Sequence, residues 1–213
     1  MKKYILLGVF LALLGGADVM AKGWAESQIE SRARAEAGAS ASATADIDSF
    51  PFIGKLLAFG DAGDLELRLR DVQSQSLKFS RVSITLDDVT LERSKLFGGE
   101  AEVRSINKGT ITMGFTAADL GAAIKMPVEI SGGRVTVTVR GQAVSAVPEA
   151  TAEGSVRLTV AGLPSLNVPI PRTRLVSCSV DKVEVEDGEL RASCTIEEIP
   201  PALLRAAQAQ RAG

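Results

Sequence analysis

The chain has 213 residues, with 24 Lys and Arg against 26 Asp and Glu, no His and two Cys. A formal net charge of -2, with no Lys/Arg stripe interleaved with aromatic residues, argues against a nucleic-acid binder, which needs a basic field along the phosphate backbone. The lack of histidine removes the commonest proton carrier near neutral pH and the commonest metal ligand, and two cysteines are too few for a zinc cage.

Residues 1–21 read as a segment made to leave the cytoplasm. Lys2 and Lys3 precede the uncharged run Tyr4 to Ala17, YILLGVFLALLGGA, and this flanking charge asymmetry is that of an export signal. A spanning helix wants about 20 apolar residues, whereas about 10 to 14 suits a signal-peptide core. Two readings therefore stay open: a signal peptide cut after Val19-Met20-Ala21, or an uncleaved signal anchor that continues outward as a helix.

Residues 22–45 read as the rest of that helix and a linker. Ala17 to Ala37 has no proline and is rich in Ala, Glu and Arg, which predicts an exposed helix ending near Gly38. The low-complexity stretch GASASATA that follows reads as a small-residue linker. Next comes Asp46 to Phe59, in which Ser49 is a candidate cap for a short helix too apolar for a loop.

Period-two alternation then dominates. Leu65, Leu67 and Leu69 alternate with Glu66, Arg68 and Arg70, so one face is wet and one is dry. The apolar register changes parity between Phe79 and Val82 and again between Leu86 and Val89, which predicts bulges in long, bent strands. Further alternating runs are Glu100 to Ile106, Thr110 to Phe115, Val135 to Val139, Val156 to Val160 and Val183 to Val185, separated by glycine-containing turns. One helix interrupts them: Thr116-Ala117-Ala118-Asp119 resembles a capping box, and Leu120, Ala123 and Ile124 supply its apolar stripe. Pro200-Pro201-Ala202 opens a final short helix. The expected fold class is α+β, over residues 46–213: a strongly bent, barrel-like antiparallel sheet wrapped around one or two helices.

Cys178 and Cys194 flank the Asp187-Gly188 turn at positions of equal parity, so on a hairpin centred there their side chains share a face. A disulfide suits an exported protein. Two reduced, buried thiols are the alternative.

No motif nominates a catalytic group. No G-x-S-x-G elbow is present, and without histidine a Ser-His-Asp triad is impossible. Asp87, Asp88 and Glu92, and separately Glu184, Glu186, Asp187 and Glu189, are the acidic concentrations. Their spacing fits no calcium loop and suits strand-edge charges. The more informative signal is apolar residues beside turn formers: Phe50, Phe52, Ile53, Leu56, Leu57 and Phe59, then Leu96 and Phe97, then Leu163, Leu166 and Ile170. Such groups either close a core or line the mouth of an apolar cavity. With Leu120 and Ile124 of the helix, residues Phe50, Phe52, Ile53, Leu56, Leu57 and Phe97 are the candidate ligand contacts. No metal site, catalytic residue or cofactor is expected.

Ser49-Phe50-Pro51-Phe52-Ile53, the alternating strand ending Arg70-Asp71-Val72, and Phe115-Thr116-Ala117-Ala118-Asp119-Leu120 together resemble the LmeA-like phospholipid-binding family. The Gly132-Gly133-Arg134 turn, the Leu163-Pro164 to Pro171 segment and the closing hairpin Val183 to Ser193 follow in the same order. The resemblance spans about Val19 to Ile196. It implies an exported or membrane-tethered, non-catalytic protein in the periplasm or at the outer face of the cytoplasmic membrane. The partners it implies are a phospholipid or other acyl-chain lipid and the membrane surface. A structural or protein-interaction module of the envelope, without a lipid cavity, is the competing class. The chain departs from the family pattern in its cysteine pair and its low basic charge.

Overall fold

A computed structural model describes residues 2–38, 40–74, 77–96, 103–162, 164–168, 170, 178–186 and 188–196, with side chains described from residue 16 onward except at 95 and 96. The chain opens with α1 (Lys2–Ala37), β1 (Ser42–Asp48), α2 (Phe52–Phe59), β2 (Asp61–Gln73) and β3 (Lys78–Leu91). After the single turn α3 (Arg93–Leu96) come β4 (Val103–Ser105), β5 (Lys108–Thr116) and α4 (Ala117–Ile124). The remaining strands are β6 (Val128–Ser131), β7 (Arg134–Val139), β8 (Gln142–Ala150), β9 (Val156–Val160), β10 (Leu166–Val168), β11 (Lys182–Glu186) and β12 (Glu189–Ile196).

The strands form two antiparallel sheets and the fold is α+β. One sheet runs β1-β2-β3-β5-β12-β11, with β4 beside β3; the other runs β10-β9-β8-β7-β6. Their apolar faces feed one core, from Leu67, Val82, Ile111 and Leu190 on the first sheet to Val135, Leu158 and Val168 on the second. The helix α4 lies between them and touches β3 and β5 on one side and β6 and β10 on the other. Its capping box forms as expected: Asp119 N donates to Thr116 Oγ1 at 3.2 Å, and Thr116 N donates to Asp119 Oδ2 at 3.1 Å.

The barrel-like expectation is corrected: both sheets are open, and β1 and β11 end the larger one without pairing to each other. The reason is visible at β1. Its outward N–H groups are taken by α1, since Ala45 N donates to Glu30 Oε1 at 3.0 Å and Ile47 N donates to Glu26 Oε1 at 2.9 Å. A helix with carboxylates four residues apart thus satisfies donors that closure would otherwise have to pair.

The linker reading is corrected with it. Residues from Ser42 already belong to β1 and pair with β2, Ser42 opposite Arg70 and Ala45 opposite Leu67. Low complexity concealed a period of two: Ala41, Ala43 and Ala45 are buried, and alanine brings the strand close to Ala33 and Ala37 of α1 in the same core. The helix is therefore not simply exposed, because one stripe of it covers the sheet edge.

The two parity changes have different origins. Between Leu86 and Val89 the ladder with β2 shifts register beside Gly63, a true bulge. Between Phe79 and Val82 the register with β2 is continuous, and both strands change face together where Asp71 takes a left-handed φ of 55°. Cys178 and Cys194 form a disulfide, with Cα atoms 5.9 Å apart. The expected C-terminal helix from Pro200 lies outside the described residues.

Candidate functional site

Two surface features stand out, and the first is built on α2. Its N-cap is Pro51, which has no side-chain acceptor, and Ser49, the expected cap, is buried with its hydroxyl making no hydrogen bond among the described residues. The cap comes instead from α1. Asp18, 6% exposed, accepts from Phe52 N at 2.9 Å and from Ile53 N at 2.6 Å. A carboxylate on the first N–H groups of a helix is held by charge-assisted bonds and by the helix dipole. At the other end Gly60, with φ of 76°, donates to Leu56 O at 2.8 Å and accepts from Leu91 N at 2.7 Å. A Cβ there would collide with the Leu91 carbonyl.

Clamped in this way, α2 divides its apolar side chains. Phe52 enters the interior and Ile53 and Leu56 are half-buried, while Leu57 is 46% exposed and Phe50 and Phe59 are each 73% exposed. On α1 beside it, Val19, Met20 and Trp24 are also exposed. Among the described residues, every exposed large hydrophobic except Val147 lies in residues 19–24 or 50–59. Exposure concentrated at one end, rather than scattered, is the pattern of an interaction surface.

The other candidate contacts fall elsewhere. Leu120 is fully buried and Ile124 is half-buried, both packed into the core through α4. Leu166 and Ile170 are half-buried against the same core. Phe97 and Leu163 lie outside the described residues, as does the side chain of Leu96.

The second feature was not visible in the sequence. On the solvent face of the larger sheet a shallow groove of about 440 Å³ is lined by Glu66, Arg68, Arg70, Arg81, Ser83, Thr112 and Arg191. A second depression of about 300 Å³, lined by Ser42, Thr44, Arg68 and Arg70, adjoins it through the shared arginines. Strand register assembles the site: Ser42 pairs with Arg70, Arg70 with Arg81, Arg81 with Gly114 and Gly114 with Arg191. Glu66 grips Arg68 through two bonds of 2.6 Å, and this partner raises the Arg68 pKa. Arg191 is held by Glu186 at 2.6 Å and Glu189 at 3.3 Å.

Among the described residues no cluster of His, Cys, Asp or Glu is placed to hold a metal ion. Several of the acidic residues have other work: Glu184 pairs with Lys182, Glu186 and Glu189 hold Arg191, and Asp88 accepts from Asn107. Among the residues whose side chains are described, from residue 16 onward, no helix is long and apolar enough to cross a membrane.

The domain is α+β, with two open antiparallel sheets and an apolar end built from two helices. The chain belongs to the LmeA-like phospholipid-binding family, which it matches over residues 16–211. No curated protein and no solved structure matches it.

Proposed function

We propose that the protein binds phospholipid at the cell envelope without catalysing a reaction, and that it meets the bilayer with the end where α1 and α2 join. The observation that carries this reading is the gathering of Val19, Met20, Trp24, Phe50, Leu57 and Phe59 at that end, directly beyond the apolar run Tyr4 to Ala17 of the same helix. Aromatic and aliphatic side chains of this kind insert at the boundary of headgroups and acyl chains. Family membership and a disulfide suited to an oxidising compartment support the same reading.

The Asp18 clamp favours the uncleaved signal anchor. Cleavage after Ala21 would remove Asp18 and leave Phe52 N and Ile53 N without their acceptor. The helix then serves as a tether that holds the domain at the outer face of the cytoplasmic membrane.

The test is native mass spectrometry of the full chain after incubation with phospholipid vesicles, beside co-sedimentation with the same vesicles. Retained lipid and co-sedimentation are expected, with affinity rising by about 0.8 kcal/mol for each CH₂ buried. Absence of both sinks the reading. It would leave a protein-interaction module, the alternative favoured by the complete burial of Leu120, Met113 and Phe115 in the interior.

A further inference from the structure

We infer that the groove on the outer face of the larger sheet is a binding site for a phosphate-bearing anion, with Arg70 and Arg81 as its principal ligands. These two arginines are directly opposed across β2 and β3, and both are exposed. Neither has an ion-pair partner among the described residues, whereas Arg68 and Arg191 on either side are held by carboxylates. Like charges directly opposite on neighbouring strands destabilise a sheet, and an anion placed between them removes that cost.

The geometry around the pair is suited to such a ligand. Next to Arg81 in the same row stands Gly114, and then Arg191. The space over Gly114 is taken by the Glu189 carboxylate, which holds Arg191 and accepts from Ser80 Oγ at 2.6 Å, so the open part of the groove is the part at Arg70 and Arg81. Thr112 adds a hydroxyl donor one row away, beside Ser83, whose hydroxyl donates to Glu66 at 3.5 Å. Guanidinium forks near a hydroxyl match the oxygens of a phosphate mono- or diester.

The site is separate from the apolar end. Arg70 lies opposite Ser42, whereas the chain leaves β1 for α2 after Asp48, about 20 Å along the strand at about 3.3 Å per residue. The anion has two possible sources, the headgroup of a bound phospholipid or a soluble phosphate compound, and the experiment distinguishes them.

The full chain, held in nanodiscs of neutral phosphatidylcholine, is titrated with glycerol phosphate by calorimetry. In parallel its binding is measured to vesicles containing phosphatidylglycerol. The double variant Arg70→Gln/Arg81→Gln is compared with Arg134→Gln/Arg157→Gln, which removes the same charge from exposed positions on the smaller sheet. We expect the groove pair to lose at least about tenfold in affinity in one or both arms, and the control pair less than about twofold. Competition between glycerol phosphate and the vesicles assigns the site to a headgroup; binding of glycerol phosphate without competition assigns it to a soluble phosphate. Both outcomes uphold the site. It is overturned if the groove pair loses no more than the control pair in either arm, a result that leaves the phospholipid reading of the α1–α2 end untouched.

Discussion

The end formed by α1 and α2 and the outer face of the larger sheet differ in chemistry and in how the chain makes them. The first comes from two short stretches, residues 19–24 of α1 and residues 50–59, and in the second the apolar side chains are exposed because α2 has only one inner flank to bury them on. The outer face of the sheet is drawn from four strands and includes four arginines, of which Arg68 and Arg191 are far apart in sequence. An apolar patch can thus be written locally, whereas a charged site on a sheet depends on register.

The predictions test whether the two regions are independent, from the largest effect to the smallest. Cys178→Ala acts on both at once. Removing a bond that closes a loop of 15 intervening residues (194 − 178 − 1) should cost about 3 kcal/mol in urea unfolding. Loss of less than about 1 kcal/mol would mean that the disulfide adds little to the shared core.

Phe50→Ser combined with Phe59→Ser addresses the apolar end alone. At about 1.5 to 3 kcal/mol for each large side chain buried, vesicle affinity should fall by about a hundredfold or more. Because both residues are exposed, stability should stay within about 0.5 kcal/mol of the parent. The opposite result, lost stability with vesicle binding intact, would make these residues part of the core.

Asp18→Ala should cost about 1 to 2 kcal/mol, as for loss of a helix cap. The loss should be local, read as faster hydrogen exchange at the Phe52 and Ile53 amides, and glycerol phosphate affinity should be unchanged. Determining the N-terminus of the mature protein complements this variant, since a start at Lys22 would remove the cap from every molecule.

The smallest effect concerns Lys22, which lies 3.3 Å from Asp46 and 3.5 Å from Glu26. Partial burial lowers its pKa, but the hydrogen bond to Asp46 and the charge of Glu26 outweigh that and raise it above the ordinary lysine value. With the folded pKa raised, its stabilisation is complete below the unfolded pKa and is lost as pH rises through the folded one. Lys22→Gln should cost under about 1 kcal/mol at neutral pH, and the difference from the parent should vanish in strongly alkaline unfolding curves.

Much of the fold was readable because its signals are local. Alternation marks β2, the Thr116 and Asp119 spacing marks the start of α4, and Gly38 marks the end of α1. The reading failed at β1, where small residues concealed a strand whose partners are a helix and β2, and at Ser49, whose capping role is filled by a residue from another helix. For the site, Phe50, Leu57 and Phe59 were legible as apolar residues in a turn-rich segment. Nothing in the spacing of Asp18 from Phe52, or of Arg70 from Arg81 and Arg191, identified the clamp or the groove.

By itself the sequence determined the α+β class, the disulfide candidates, the apolar segment at residues 50–59 and the family, because each rests on residue type and short-range period. The tertiary structure decided that the sheets stay open, that Asp18 ties α2 to α1, and that scattered arginines share one face. Those outcomes depend on which elements pair and in what register, and a hydrogen bond between residues 34 apart has no counterpart in local pattern.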